Sequence, residues 1–371
     1  MSPDTLTPVD ITSPMCPAEY PVPAPGYLNT ATVGIPPARV TAAMHRALDA
    51  WAAGRPGDAG DPEEAVAAAR AAFARLAHVP VTQVALAGTV AGAVGLIATA
   101  LPPGAEVVAY QGDFSSLVHP FAARPDVRLR LVALEELAGA VRPGTALVAV
   151  SAAQSADGRV ADLPAIRAAA AAHGARTLVD ATQSVGWLPL DASQDDYVVC
   201  HGYKWLTSPH GAAFLTVRPG AEDTLAPTFA GWYAAADPGA SIYGPVAELA
   251  PGARRFDTRP ALLSYVGAAA ALSLVEELGV DRIHAHDTAL AQRLRDGFTA
   301  LGYSPVPGTS AIVAVPGVPD AVTARLRAAG VTFAARAGKV RLAPHFYNTA
   351  ADVDLALAAA EQPRGRASAS R

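Results

Sequence analysis

Six short apolar runs occupy the middle of the chain: AEVVAY (105–110), VRLRLV (127–132), ALVAVS (146–151), RTLVD (176–180), DDYVVC (195–200) and AAFLTV (212–217). Each has the length of a strand, and several are separated by alanine-rich stretches of helical length at 89–101, 133–141 and 162–173. Strand and helix in alternation leave few ways to bury so much apolar surface. The pattern predicts an α/β fold in which a mostly parallel sheet is covered by helices on both faces.

Beyond about residue 250 the pattern changes. Two long helices, near 261–278 and 281–301, precede short strands around SAIVAVP and GKVRLA and two further helices, which predicts a smaller α+β domain. The expected organisation is an extended arm over 1–25, a large α/β domain over 26–250, a small domain over 251–362 and a flexible tail over 363–371. A chain of 371 residues has the length for two such units. No internal repeat interrupts this reading.

Charge and cysteine usage narrow the class of function. The formal net charge is −5 and no basic stripe with interleaved aromatics is present, so nucleic acid is not an expected partner. Two cysteines, Cys16 and Cys200, make no disulfide framework and no zinc-type spacing, and no metal site is expected; a reducing cytoplasm fits. The Pro-, Ser- and Thr-rich start lacks the basic and apolar regions of a signal peptide, and Gly, Pro or charge breaks each apolar helical stretch before it reaches membrane-spanning length. A small soluble molecule is the expected partner.

The chain holds 28 Lys and Arg together, of which only Lys204 and Lys339 are lysines. Arginine serves wherever plain positive charge is enough, so a retained lysine invites a chemical reason: an ammonium can lose its proton and form a Schiff base, whereas a guanidinium cannot. In an open α/β sheet, ligands sit beyond the carboxyl ends of the strands. There RTLVDATQS places Asp180 and Gln183, and DDYVVCHGYK places His201, Tyr203 and Lys204. A carboxylate so placed can hold a protonated pyridine nitrogen, and an amine facing it can hold an aldehyde. Gly88 and Thr89, ahead of an alanine-rich helix, offer free amides to an anion; an ordinary helix cap is the alternative. No GxGxxG follows the first strand, which argues against a dinucleotide site.

LVDATQSVGWLPLD (178–191) followed by HGYKWLTSPHGAAFLTV (201–217) resembles the cofactor core of the aminotransferase class V group, which includes cysteine desulfurases, isopenicillin N epimerase and kynureninase. YLNTATVGIPP (27–37), GDFSSLVHP (112–120), SAAQSADGRVADLPAI (151–166) and VRLAPHFYNTAADVD (340–354) are similar to further segments of that group, so the likeness spans most of 27–360. The resemblance implies a fold type I enzyme with a mostly parallel seven-stranded sheet, pyridoxal 5′-phosphate as cofactor and a homodimer with shared active sites. It implies Lys204 as the Schiff-base lysine, Asp180 as partner of the pyridine nitrogen, Gln183 on the phenolic oxygen and Phe114 over the ring. Gly88, Thr89, His201 and Tyr203 would grip the phosphate, and Arg341 would bind the carboxylate of an amino-acid substrate. For Phe114 the alternative is a core side chain, and for Arg341 a surface ion pair.

Two departures bear on the reaction. The sulfur-accepting cysteine that desulfurases carry shortly before the arginine is missing from VTFAARAGKVRL, and Arg259 in RRFDTRPALL (254–263) stands where a small or hydroxyl residue usually reaches toward the partner's phosphate. β-Elimination from a cysteine S-conjugate, transamination and epimerisation all fit the residues. Within the group it resembles, short members without that cysteine include C–S lyases of thiol-derived secondary metabolism, so the resemblance favours a lyase. A non-catalytic binding protein would not be expected to keep both Lys204 and Asp180.

Overall fold

The structure, a computed structural model, describes residues 9–22 and 24–361. The first eight residues of the expected arm and the expected tail over 363–371 lie outside the described residues. Helices α1 (Ala38–Ala52) and α2 (Pro62–Leu76) lead into β1 (Val84–Ala87), α3 (Val90–Ala100), β2 (Glu106–Tyr110), α4 (Ser115–Ala122), β3 (Arg128–Val132), α5 (Leu137–Ala140) and β4 (Thr145–Ser151). Next come α6 (Leu163–His173), β5 (Arg176–Asp180), β6 (Tyr197–His201) and β7 (Ala213–Val217). The chain ends with α7 (Leu262–Leu278), α8 (Val280–Ala300), β8 (Val313–Pro316), α9 (Asp320–Ala328), β9 (Ala334–Arg336), β10 (Lys339–Leu342) and α10 (Ala350–Ala360).

Seven strands form one sheet in the order β1-β7-β6-β5-β4-β2-β3, and only β7 runs against its neighbours. The six apolar runs are all strands, and the sheet is mostly parallel, as the alternation predicts. The seventh strand, β1, has four residues and merges with the glycine turn before α3, which is why no separate run announces it. The expected helix over 133–141 forms as a 3₁₀ turn over Leu134–Glu136 that runs into α5, which stays short because Gly139 weakens it and Pro143 follows.

The sheet is buried on both faces. Phe73, Val108, Val148, Val198 and Phe214 pack on one side, while Val107, Leu147, Leu178, Tyr197 and Val199 pack on the other. Helix α7 lies against α1 and α2, and its Tyr265, Leu272 and Val275 share the first of these cores, so the core around the large sheet continues past residue 250. A second sheet, β8-β10-β9, is fully antiparallel and has its own core of Leu290, Phe298, Val313, Leu326 and Leu342. The N-terminal segment crosses between the two: Leu28 belongs to the smaller core and Ala31 to the larger. Among the described residues no single helix is long and apolar enough to cross a membrane.

Candidate active site

A narrow cleft of about 200 Å³ opens at the carboxyl ends of β4, β5 and β6, facing the start of α3. Its lining includes Thr89, Phe114, Asp180, Gln183, His201, Tyr203 and Lys204, so seven of the nine residues singled out in the sequence meet in one place. Parallel strands bring this about: each ends its apolar run at the same edge, and the first polar residue beyond the run faces the shared opening. Gly88 sits at the mouth, beside Thr89 in an adjoining hollow. A larger groove of about 980 Å³ lies elsewhere, between α1, α2 and the start of α7.

Lys204 is buried, and its Nζ lies 5.3 Å from the ring centre of Phe114 and 5.6 Å from that of Tyr203. Burial, opposed by the carboxylate of Asp180 and aided by Arg341, pulls the amine down to about 8. Asp180 is pushed the other way, upward, chiefly by burial. Its Oδ1 accepts a 2.9 Å bond from the Thr182 amide, and Oδ2 has no partner among the described residues. Gln183 donates from Nε2 to Ala31 O and Ser155 Oγ and accepts at Oε1 from the Trp205 indole at 2.8 Å, so its amide orientation is fixed. His201 Nε2 accepts from the Gly211 amide at 3.2 Å, which leaves the ring proton on Nδ1; burial lowers this histidine to about 4, so the ring is a neutral donor. At the start of α3, Thr89 Oγ1 caps the Gly92 amide at 3.1 Å, and the Val90 and Ala91 amides have no partner among the described residues. The expected cap is therefore present, and the free amides of an anion site are present with it.

Arg341, on β10, is 1% exposed and has no acidic partner among the described residues. Its Nη1 donates to the carbonyl and hydroxyl of Ser155, its Nη2 donates to Thr32 Oγ1 at 2.7 Å, and its Nε is left without a partner. A guanidinium held inside a protein by neutral acceptors alone lacks the anion that would balance it. Its position beside Ser155, which also touches Gln183, puts that deficit at the edge of the cleft.

The family described as Aminotransferase class-V matches residues 28–313. The chain belongs to the aminotransferase class V family. It is 31% identical over 304 residues to a Bacillus subtilis (strain 168) protein named uncharacterized aminotransferase YcbU, covering 76% of this chain and 79% of that one. It is 29% identical over 253 residues to isopenicillin N epimerase of Streptomyces clavuligerus, covering 61% and 63%. In fold it is similar to a solved complex of the cystine C–S lyase C-DES with cysteine persulfide, at TM-score 0.81 and 22% identity over 91% of this chain and 98% of that one.

As a class V member, the protein is a pyridoxal-5′-phosphate-dependent enzyme that acts on amino acids. The cleft fits that cofactor. A carboxylate lining the cleft suits a protonated pyridine nitrogen, a depressed amine suits an aldehyde, and free helix-start amides beside the neutral His201 donor suit a phosphate. An added Cβ at Gly88 would meet nothing within 4 Å, so that approach is open.

Four residues of the site escaped the sequence reading. Ser155 and Thr32 carry Arg341, and Ser151, through Asp113, fastens the turn that bears Phe114: Asp113 Oδ2 accepts the Ser151 amide at 2.8 Å. A serine or threonine in a loop or at a strand end carries no signal of its own; only the fold brings these together. Arg259 is engaged within its own chain, paired to Glu63 at 2.5 Å and lying 5.1 Å from the ring centres of both Trp232 and Tyr233. Both cysteines are free: Cys200 lies buried in β6, where burial raises its thiol well above the ordinary value, and Cys16 is raised to about 12 by the same cause.

If Arg341 receives the substrate carboxylate, Arg341→Ala raises KM for amino acids by about tenfold to a hundredfold, because charge-assisted bidentate bonds contribute roughly 1.5–3 kcal/mol. Arg341→Lys recovers little of this, since an ammonium lacks the planar fork. Steady-state kinetics on both variants checks it, and an unchanged KM in Arg341→Ala would place carboxylate binding elsewhere.

Proposed function

We propose that this class V enzyme is a C–S β-lyase that cleaves a cysteine S-conjugate in secondary metabolism. The observation carrying the reading is the make-up of the cleft: one depressed amine, Lys204, serves as base, and no thiol lines it to receive sulfur. The C–S lyase among the similar folds is in keeping with this.

Lys204 would hold the cofactor aldehyde, Asp180 would keep the ring-nitrogen proton, Gln183 would turn its amide from Ser155 to the phenolic oxygen and Phe114 would cover the ring. Gly88, Thr89, the start of α3, His201 Nδ1 and Tyr203 hold the phosphate, and Arg341 orients the substrate by its carboxylate. Pyridoxal phosphate, when bound, supplies an electron sink for the pair left at Cα. Once the substrate amine has taken its place on the aldehyde, the freed Lys204 Nζ would take the Cα proton, and the Cβ–S bond would break with its electron pair leaving on sulfur. In sum, one S-conjugate and one water give thiol, pyruvate and ammonium. Epimerisation needs a second proton carrier beside the cleft amine. Of the other titratable lining groups, Asp180 is committed to the ring nitrogen, and His201 and Tyr203 to the phosphate.

Transamination is the competing reading, favoured by the name of the Bacillus subtilis relative. The two differ in what regenerates the enzyme. Elimination needs no second substrate, whereas transamination stalls after one turnover until a keto acid arrives. Incubation with cysteine S-conjugates and no amino acceptor should release thiol, pyruvate and ammonia in equal amounts over many turnovers. A single turnover that resumes only on adding a keto acid would assign the transaminase.

The working unit under this reading is a homodimer. The groove lined by Trp51, Pro56, Ala65, Pro260, Leu262 and Leu263 is the apolar surface a second copy would cover, with Trp51 63% exposed at its edge. Sedimentation should find a dimer, and a fully active monomer would remove this part of the proposal.

A further inference from the structure

Behind the cleft, three consecutive backbone carbonyls around Lys204 are each gripped by a different group. The Gly34 amide, from the segment after Leu28, donates to Tyr203 O at 2.9 Å, and the Thr207 amide donates to Lys204 O at 3.0 Å. The third carbonyl, Trp205 O, meets Nε2 of His345 at 2.8 Å. Backbone approaches are close here: a Cβ on Gly34 would lie 2.1 Å from Lys204 O, and one on Gly186 would lie 2.8 Å from Trp205 O. Thr207 takes a left-handed backbone conformation, with φ of +50°, to close the turn.

His345 is itself held. Its Nδ1 lies 2.6 Å from Asp287 Oδ2, and Asp287 Oδ1 lies 3.0 Å from His286 Nδ1. Asp287 and His345 are 0% exposed and His286 is 1% exposed. Nδ1 of His345 faces the Asp287 carboxyl and Nε2 faces the Trp205 carbonyl, so the buried ring bridges Asp287 to the lysine turn. The indole of Trp205 extends the connection into the cleft, since its Nε1 bonds Gln183 Oε1. His345 also follows Arg341 by four residues on one segment.

We propose that Asp287 and His345 are positioning residues that clamp the Lys204 turn and, through Trp205, fix the amide of Gln183. Neither touches the cofactor or the substrate. A buried polar cluster is costly unless its polar atoms are used, and here the Nε2 side of the His345 ring is spent on the carbonyl of Trp205, the residue after Lys204. The clamp reaches the lysine turn from α8 and from the segment after β10, so the strand that carries Arg341 and the turn that carries Lys204 keep one fixed relation. The inference rests on Lys204 being the residue that holds the cofactor.

The scarcity of lysine makes the test direct. Acetic anhydride labelling of the full-length protein before cofactor is added, read by mass spectrometry across pH, reports Lys204 and uses Lys339 as an internal reference. The wild-type Lys204 midpoint is expected near 8. The charged and titratable groups around it (Asp180, Arg341, Arg336, Cys200 and Tyr203) stay in every variant. His345→Leu keeps bulk but removes both ring nitrogens; the freed turn lets water reach the amine, and the Lys204 midpoint rises by about one unit toward the ordinary lysine value while Lys339 does not move. In the loaded enzyme, kcat falls by about tenfold with KM nearly constant. His345→Gln, which keeps a donor for the Trp205 carbonyl, restores most of both. If His345→Leu does not fold, Asp287→Asn should still raise the Lys204 midpoint, and His286→Gln, which loosens the cluster without touching the turn, should not. Lower melting temperatures with an unchanged Lys204 midpoint in His345→Leu and Asp287→Asn would reduce the cluster to a structural element and overturn the proposal. A Lys204→Ala protein that kept its lysine-bound cofactor spectrum would fault the cofactor assignment instead, and the labelling result would stand apart from it.

Discussion

Replacing Lys204 by alanine should lower turnover by about four orders of magnitude or more and abolish the visible absorbance of the lysine-held cofactor. The argument is one of supply. No other lysine lines the cleft, Lys339 lies on β10 with its Nζ toward the Ala337 carbonyl, and every other positive group near the site is an arginine that stays protonated. Burial brings the Lys204 amine down to about 8, so in the protein without cofactor the free-base fraction rises with pH and is half complete there. Cofactor loading should therefore quicken as pH rises toward about 8 and level off above it. Absorbance spectra and single-wavelength loading kinetics read both effects. Sustained steady-state turnover in Lys204→Ala would sink the assignment.

Asp180→Asn should slow removal of the substrate Cα proton by about 10²–10³-fold, the usual scale for losing one preorganised electrostatic contact at a reacting centre. Asparagine matches the shape of aspartate, so its Oδ1 can keep the bond from the Thr182 amide. Its NH₂ group would then occupy the place of Oδ2 and present a donor where an acceptor is needed. The charge partner that keeps a pyridine nitrogen protonated is lost, although the fold is kept. Burial pushes the Asp180 carboxyl upward, so its ionised form would depend on a cationic partner, and under the proposed role that dependence would make it an effective tuner. Exchange of the substrate Cα hydrogen for deuterium in D₂O measures the step. An unchanged exchange rate would assign the role to another group.

The two assignments were legible in the sequence for a physical reason. Strand runs buried on both faces leave little choice of residue until they end, so a polar residue at the end, such as Asp180 or His201, is visible against its apolar background. The alternation of such runs with helices determines a mostly parallel sheet, and a parallel sheet collects its strand ends at one edge. Lys204 was visible for a chemical reason, as one of two lysines in a chain that otherwise uses arginine.

Tertiary structure alone decided the rest. Arg341 reads equally well as a surface ion pair until the fold buries it among Ser155 and Thr32 with no acid at hand. His345 and Asp287 are 58 residues apart, and Trp205 lies 140 residues from His345; such contacts leave no periodic trace because they depend on how two sheets and the segment between them meet. The short β1 also exists by pairing with β7, since four residues carry too little pattern to be recognised alone. Local sequence sets the period and burial of each element, while long-range hydrogen bonds are formed between groups whose meeting only the completed packing determines.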